Sequence, residues 1–233
     1  MNPPPHSWAV SVSEAISIQQ ALSTQISLEP LNSPIRYIAG ADISFNRGSD
    51  IFYAGIVVLD YQSLKVVSHS LIKDKAPFPY VPGLLSFREI PSLMKAWEQL
   101  PLEPDVIMLD GHGIAHPRRL GIASHFGLWI QKPTIGCAKK LLTGLHESPK
   151  AEAPSWTSIY DRNEHIGFAV RSRTRVKPIY VSPGHLIDLE AALKVSLHCV
   201  TNYRIPAPTR IAHQLVNQAR RGELKCGVKS YES

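Results

Sequence analysis

The spacing of apolar residues predicts a helix and then a run of strands in the first third of the chain. In residues 11–26, apolar side chains fall on or near one helical face, and Ser11 with Glu14 forms a capping box. Residues 35–72 are instead rich in branched and aromatic side chains, and the turn sequences NRGSD and YQS interrupt them. Three strands with such short connections predict an antiparallel meander.

The pattern changes after this meander, where short apolar runs alternate with helical spacing. Residues 84–100 are predicted to be a helix that Pro91 breaks or kinks. The order DVIMLD, RRLGIASHFGLWI, PTIGCA and KKLLTGL then predicts strand, helix, strand and the start of a helix, which implies parallel strands buried on both faces. Two strands (EHIGFAVRS and PIYVS) and two closing helices (HLIDLEAALKVSLHCV and PTRIAHQLVNQARR) follow, whereas residues 147–156 are predicted to be a loop or hairpin tip.

These elements predict one α/β domain that spans residues 1–233. An antiparallel meander followed by parallel strands gives a mixed sheet flanked by helices, a layout similar to that of the ribonuclease H-like fold. We expect the ends of the chain, residues 1–8 and about 222–233, to be loosely held.

Composition narrows the class of protein without deciding it. The net charge of +6 suits binding to nucleic acid, although many soluble proteins are basic. The three cysteines are far apart and lack CxxC spacing, which argues against a disulfide framework and against a zinc site. The sequence shows no signal-peptide pattern and no apolar run of membrane-spanning length, so we expect a cytoplasmic protein that does not act at a membrane.

Charged residues stand at predicted strand ends, where α/β sheets bind ligands. Asp110 follows the buried strand DVIML and precedes Gly111 and Gly113, which allow a sharp turn and close approach of backbone N–H groups. Lys139 follows the next strand in the equivalent place, and Asp42 lies within the strand YIAGADISF. If the strands that precede Asp110 and Lys139 are neighbours, these two residues share one rim of the sheet.

Each candidate also has a simpler interpretation when it is taken alone. Asp42 would be a solvent-facing acid, and Glu89 a surface acid or the partner of Arg88. Lys139 would be a solvated lysine, and His213 a satisfied core histidine on the last helix. Carboxylates that converge from separate elements instead favour a hard divalent cation such as Mg²⁺, which takes oxygen ligands and assists phosphodiester hydrolysis. Together with a basic surface, that constellation predicts a nuclease.

The segment PFPYVPGLLSFRE, residues 77–89, is stiff and apolar where a loop is normally polar. Its three prolines exclude a helix and a central strand over their span. The segment presents Tyr80 ahead of Gly83 and the charged pair of Arg88 and Glu89. We interpret it as a surface that contacts a ligand.

Four blocks of the sequence resemble the endonuclease V family of repair nucleases along nearly the whole chain. They are YIAGADISF, PYVPGLLSFRE, DGHGIAHPRRLGIASHFGL and PTIGCAKKLL, and SPGH with PTRIAH forms a weaker fifth block. One departure is PYVP where PYIP is expected, a loss of one methylene that keeps the β-branch. The resemblance implies a ribonuclease H-like fold. It also implies hydrolysis, with Mg²⁺ or substituting Mn²⁺, on the 3′ side of deoxyinosine one bond beyond the nearest, leaving 3′-hydroxyl and 5′-phosphate ends.

The resemblance also implies roles for individual residues. Asp42 and Asp110 match the metal-binding aspartates of the family. Glu89 matches the third catalytic acid and Lys139 the catalytic lysine. His213 matches a catalytic position that is histidine or aspartate in the family, where it would hold a metal ion or its water.

The implied substrate is DNA containing deoxyinosine, bound by a monomer with the base turned out of the stack. The candidate substrate-binding residues, with Tyr80 as a wedge, are Pro79, Tyr80, Val81, Pro82, Gly83, Leu85, Gly111, Gly113, His116, Ile122 and Leu142. Backbone N–H groups near Gly111 and Gly113 are candidate donors to the 6-oxo group of hypoxanthine. Arg118 and Arg119, expected at a helix start, are either phosphate contacts or solvated arginines.

Two other functions stay open at this point. One is an endoribonuclease that prefers inosine in RNA. The other is a catalytically silent protein that binds inosine or branched DNA. The intact set of Asp42, Glu89, Asp110 and Lys139 argues against the silent binder.

Overall fold

The computed structural model describes residues 6–231 and shows a nine-stranded sheet with helices on both faces. The helices are α1 (Val12–Ser23), α2 (Leu85–Glu98), α3 (Ile122–Ile130), α4 (Leu189–His198) and α5 (Ala207–Arg220). The strands are β1 (Tyr37–Phe45), β2 (Ile51–Asp60), β3 (Val66–Lys75), β4 (Val106–Leu109), β5 (Thr134–Ala138), β6 (Ser155–Asp161), β7 (Glu164–Arg171), β8 (Ile179–His185) and β9 (Gly227–Ser230).

The strands lie in the order β6-β7-β8-β5-β4-β1-β2-β3-β9. β1, β2 and β3 form the antiparallel meander, and β4 pairs in parallel with both β1 and β5. The capping box of Ser11 and Glu14 is present at the start of α1. The structure therefore confirms the predicted mixed α/β sheet of ribonuclease H-like layout.

Pro91 lies inside α2, which runs from Leu85 to Glu98, so of the two predicted outcomes, a break or a kink, the break is wrong. A proline in a helix interior costs about 3 kcal/mol because one hydrogen bond is lost and the ring crowds the preceding turn. α2 offsets this cost by burying Phe87, Ile90 and Leu93 against the sheet and its neighbours. Each such side chain contributes about 1.5–3 kcal/mol when fully buried.

One further prediction about local structure is wrong, and the boundary of another changes. No helix starts at Lys139: residues 139–150 form bends, irregular segments and one isolated bridge, between Leu145 and Tyr160. Residues 147–154 form the predicted loop, and β6 takes in only the last two residues of the predicted segment, from Ser155. β6 is an edge strand whose one neighbouring strand in the described sheet is β7, so its exposed side chains give no clear apolar alternation.

Both ends of the chain make contacts where the structure describes them. Trp8 packs against Phe87 and Trp129, and β9 pairs with β3 although all four of its residues are exposed. Residues 1–5 and 232–233 of the ends expected to be loosely held lie outside the described residues. Across residues 6–231, no helix has the length and apolar character needed to cross a membrane.

β1 presents alternate residues to two different helical layers. Ala39 packs in the cluster that includes α2 and α3, whereas Gly40 lies beneath α5. A Cβ atom at Gly40 would lie 2.0 Å from the backbone oxygen of Pro208, and one at Gly55 would lie 2.8 Å from a methyl group on α5. Because strand side chains alternate between faces, Asp42 lies on the same face as Gly40, below α5.

Gly40→Ala should destabilise the protein by about 3 kcal/mol or more, because the clash is with backbone and only a shift of α5 relieves it. Gly48→Ala is the control, since its Cβ would meet nothing within 4 Å and only its φ of 80° opposes a side chain. We expect about 1 kcal/mol for that change. Urea denaturation measures the free energy of unfolding of both variants. Equal losses of stability in the two variants would contradict the close crossing of α5 over β1.

Candidate metal centre and substrate surface

Asp42 on β1 meets His213 on α5. Nδ1 of His213 lies 2.7 Å from Oδ2 of Asp42, and this hydrogen bond is the main cause of the raised pKa of His213. The side-chain amide nitrogen of Asn217 lies 3.2 Å from Nε2 of the same histidine, and the Asn217 oxygen accepts a hydrogen bond from Ser44. His213 is exposed, so its interpretation as a core histidine is wrong.

Asp110 and Lys139 come together at the rim of the sheet. Parallel pairing of β4 with β5 aligns the ends of these strands, and Nζ of Lys139 donates to Oδ2 of Asp110. The charge of Asp110 is thereby partly balanced. The lysine lies beside the rim where α/β sheets bind their ligands.

The ligand atoms of Asp42, Asp110 and His213 all lie within 4.8 Å of one another. Burial raises the pKa of Asp42, and repulsion from Asp110 adds to this effect. A divalent cation between the carboxylates would offset both costs. Carboxylate oxygens suit Mg²⁺ and Mn²⁺, and an imidazole nitrogen is a common ligand of first-row divalent ions, so the donor set fits a divalent metal ion.

Glu89 on α2 completes the acidic group without joining a hydrogen bond among the described residues. Burial of its carboxyl group, followed by repulsion from Asp42 and Asp110, raises the pKa of Glu89 to about 8. Glu89 is only partly exposed, and its carboxyl group lies near enough to Asp42 and Asp110 to be repelled by both. The interpretation of Glu89 as a surface acid is therefore not supported.

Glu89 should make the metal-free protein less stable as the pH rises. Its folded-state pKa of about 8 exceeds the ordinary value of 4.5, so the folded state retains a proton that the unfolded state loses. The stabilising contribution is complete below pH 4.5 and is lost as the pH rises towards 8. Melting temperatures measured with a chelator should fall across this window, and Glu89→Gln should flatten the fall.

The exposed Glu98 on the same helix supplies the control, and Glu98→Gln should leave the slope unchanged. Added Mg²⁺ should raise the melting temperature most at the alkaline end, because a cation favours the ionised carboxylates. An unaltered slope in Glu89→Gln would show that this carboxyl group is not the one that titrates.

Tyr80 projects from the proline-rich segment ahead of α2. Its side chain is 69% exposed, whereas Phe78 and Leu84 on either side are buried. Arg88 donates to the backbone oxygen of Phe78 at 2.7 Å and lies over the ring of Phe52, so it does not pair with its neighbour Glu89. The segment is thus anchored on both sides of an exposed aromatic ring.

The backbone oxygen of Gly83 accepts hydrogen bonds from three side chains. Nη2 of Arg118 lies at 2.9 Å, Nε2 of Gln19 at 3.0 Å and Nε2 of His116 at 3.2 Å. Gly83 has a φ of 78°, which favours glycine. The sequence prediction missed Gln19, although a glutamine on the buried face of an amphipathic helix is the signal that could have revealed it.

Neither arginine after His116 lies at a helix start, because α3 begins only at Ile122. Arg118 is engaged with Gly83 and Gln19, and Arg119 forms ion pairs at 2.8 Å with Asp161 and at 2.7 Å with Glu164. The expectation that they contact phosphate is not supported, since most of their donor groups bond within the protein. The alternative interpretation, that Arg118 and Arg119 are solvated surface arginines, is wrong for the same reason.

The candidate pocket residues differ in their exposure and in whether their backbone N–H is free to bind a base. Gly113 is buried, donates its N–H to Ser182 at 2.9 Å and leaves no room for a side chain against β8, so that N–H is not free for a base. Gly111 is partly exposed and contacts Ile122. Leu85, Ile122 and Leu142 are half-buried, buried and 48% exposed, respectively. Burial lowers the pKa of His116 to about 4, so its imidazole is neutral near pH 7.

Comparison with known proteins identifies one family. A family model described as Endonuclease V matches residues 20–214. An Endonuclease V of Myxococcus xanthus is 49% identical over 218 residues, which cover 93% of this chain and 92% of that protein. An Endonuclease V of Trichormus variabilis is 46% identical over 214 residues, which cover 91% of this chain and 97% of that protein.

Solved structures show the same fold. The structure of Endonuclease V from Streptomyces avermitilis has a TM-score of 0.87 at 38% identity and covers 94% of this chain and 97% of that one. Endonuclease V from Ciona intestinalis has a TM-score of 0.82 at 31% identity, with 91% and 99% of the two chains covered. That protein is in complex with a 24mer DNA containing an inosine followed by a ribo-adenosine.

Proposed function

We infer that this chain acts on DNA that contains deoxyinosine. It belongs to the endonuclease V family and is therefore a metal-dependent endonuclease. The observation that carries this inference is the cluster of Asp42, Asp110 and His213 on the rim beside Lys139. The inosine-containing DNA bound by the Ciona relative supports the choice of substrate.

The reaction we propose is hydrolysis of the second phosphodiester on the 3′ side of the lesion, leaving 3′-hydroxyl and 5′-phosphate ends. Asp42 and Asp110 would hold Mg²⁺, with Mn²⁺ as a substitute. A bound ion of this kind activates water, neutralises phosphate charge and stabilises the leaving oxygen. His213 orients Asp42 through their hydrogen bond, and it is the third possible ligand.

Lys139 and Glu89 supply complementary charges beside the reacting phosphate. The ammonium group of Lys139 lies against Asp110 and would share its charge with a phosphate oxygen. Glu89 would accept a proton from the attacking water once a bound cation favours its ionised form, because a carboxylate whose pKa lies near the working pH is an efficient general base. Lys139 and Glu89 would thus act close to the atoms on which charge develops in the transition state.

Recognition of the base would begin at Tyr80, which we propose enters the DNA stack as the base turns outward. Pro79, Val81 and Pro82 stiffen this wedge, so little loop entropy is lost on binding. The pocket would be lined by Gly83, Leu85, Gly111, Ile122 and Leu142, with His116 behind Gly83. Gly111 is the better donor to the 6-oxo group, since the N–H of Gly113 is already bonded. Guanine shares that oxygen, and its 2-amino group would exclude it.

A panel of end-labelled duplexes tests the proposal, with inosine, xanthine, uracil, a mismatch, or inosine in an RNA strand. With Mg²⁺ we expect one cut, at the second bond 3′ to deoxyinosine, and slower cutting of the other substrates. Faster cutting of the RNA substrate would favour the endoribonuclease. Tight binding without any cut, with Mg²⁺ and with Mn²⁺, would revive the silent binder.

A further inference from the structure

Basic side chains without acidic ion-pair partners are concentrated in the loop between β7 and β8. Residues 171–177 read RSRTRVK, and no aspartate or glutamate occurs between Glu164 and Asp188. Arg175 and Lys177 are exposed. In the chain from 6 to 231, neither side chain forms an ion pair.

The sheet topology places this loop at the edge that carries the candidate metal centre. β8 runs antiparallel to β5, and Ala138 pairs with Tyr180. The start of β8 therefore lies beside the end of β5, where Lys139 meets Asp110. Lys177 precedes Tyr180 by three residues, which span about 10 Å of extended chain.

Arg204 ties the loop to the backbone of the candidate catalytic lysine. Its Nε donates to the oxygen of Lys177 at 2.9 Å, and its Nη2 donates to the oxygens of Pro178 at 2.8 Å and Lys139 at 3.0 Å. These three bonds fix the loop backbone relative to the metal centre. The side chains of Arg175 and Lys177 face solvent from that fixed frame.

Further basic and aromatic groups extend the same edge. Between Glu190 and Glu223 the sequence has no acidic residue. Arg210, in the first turn of α5, lies 4.2 Å from the ring centroid of Tyr203, which is 54% exposed. Basic residues without acidic neighbours in the sequence give this edge a positive charge, which attracts polyanions.

We propose that the β7–β8 loop binds the phosphodiester backbone flanking the cleaved nucleotide, with Arg175 and Lys177 each neutralising one phosphate. The choice of nucleic acid as the partner rests on the proposed function. Since the phosphates of one strand are spaced by about 3.4 Å along the helix axis, an offset of about 10 Å corresponds to about three nucleotides from the reacting phosphate. Contacts of this type position the duplex without reading its sequence.

The test compares two double variants that each remove one arginine and one lysine. Arg175→Asn/Lys177→Ser removes the proposed contacts, and asparagine tolerates the φ of 61° at position 175. Arg36→Asn/Lys65→Ser makes the same changes in exposed residues at the opposite edge, where Tyr37 pairs with Asp60. Binding to lesion-free and deoxyinosine duplexes is measured with a chelator over a range of salt concentrations.

We expect the first variant to bind both duplexes about tenfold more weakly near 0.1 M salt, and its slope of log K against log salt to fall by about two. The control should keep the parental slope. Arg175→Lys/Lys177→Arg should also restore it, which separates loss of charge from loss of folding. Cleavage of saturating deoxyinosine substrate should be unchanged in all three.

A parental slope in Arg175→Asn/Lys177→Ser, or an equal loss in the control, would overturn the proposal. A lower cleavage rate at saturation would also overturn it, because the loop would then act on chemistry rather than on binding. If the parent protein cuts no inosine substrate but the slope falls as expected, the proposed function fails and the backbone contact stands.

Discussion

Asp110→Asn should reduce cleavage of a deoxyinosine duplex by about a thousandfold or more while the protein stays folded. Asparagine keeps the shape of the side chain but removes the charge that would hold a cation and that pairs with Lys139. Loss of metal-assisted stabilisation worth about 4 kcal/mol corresponds to three powers of ten in rate. Single-turnover cleavage at saturating protein measures this loss without interference from binding.

Asp50→Asn is the matched control, because Asp50 is an exposed acid whose ion pair with Lys75 is long, at 3.9 Å. Its cleavage rate should equal that of the parent. Calorimetric titration with Mn²⁺ should show weaker binding to Asp110→Asn and to Asp42→Asn than to the parent. Parental rates in both of these variants would place the metal centre elsewhere.

Tyr80→Ala should weaken binding to deoxyinosine duplexes by about tenfold to a hundredfold. A stacked aromatic ring contributes roughly 1–3 kcal/mol per base, and here the contact would form only when the duplex opens at the lesion. Selectivity for inosine over normal duplex should fall by a similar factor. Stability should change little, because the ring is 69% exposed.

Tyr80→Phe distinguishes the ring from the hydroxyl group, and it should bind like the parent. Cleavage of saturating substrate by Tyr80→Ala should fall much less than binding does, since the ring does not contact the metal centre. If Tyr80→Ala binds and discriminates like the parent, the wedge hypothesis is wrong, and the role of Asp110 is unaffected.

Sequence patterns predicted the features that depend on local spacing. The capping box and apolar spacing indicated α1, and the branched runs between short turns indicated the meander that contains Asp42. A buried strand followed by an acid and two glycines indicated the rim at Asp110, and the equivalent end of the next strand indicated Lys139. These predictions were correct because the periodicity of a strand or a helix can be read from residues that are close together in the sequence.

Only the tertiary structure decided which way side chains point between elements. His213 meets Asp42 because Gly40 lets α5 cross β1 at close range, a contact between residues far apart in sequence. Arg118 turns inward to the oxygen of Gly83, and the N–H of Gly113 is taken by Ser182. The sequence alone thus determined most of the elements and the position of Asp110 at the end of a strand. Packing distances between layers determined which of those groups meet, since no local pattern records the partner across a sheet.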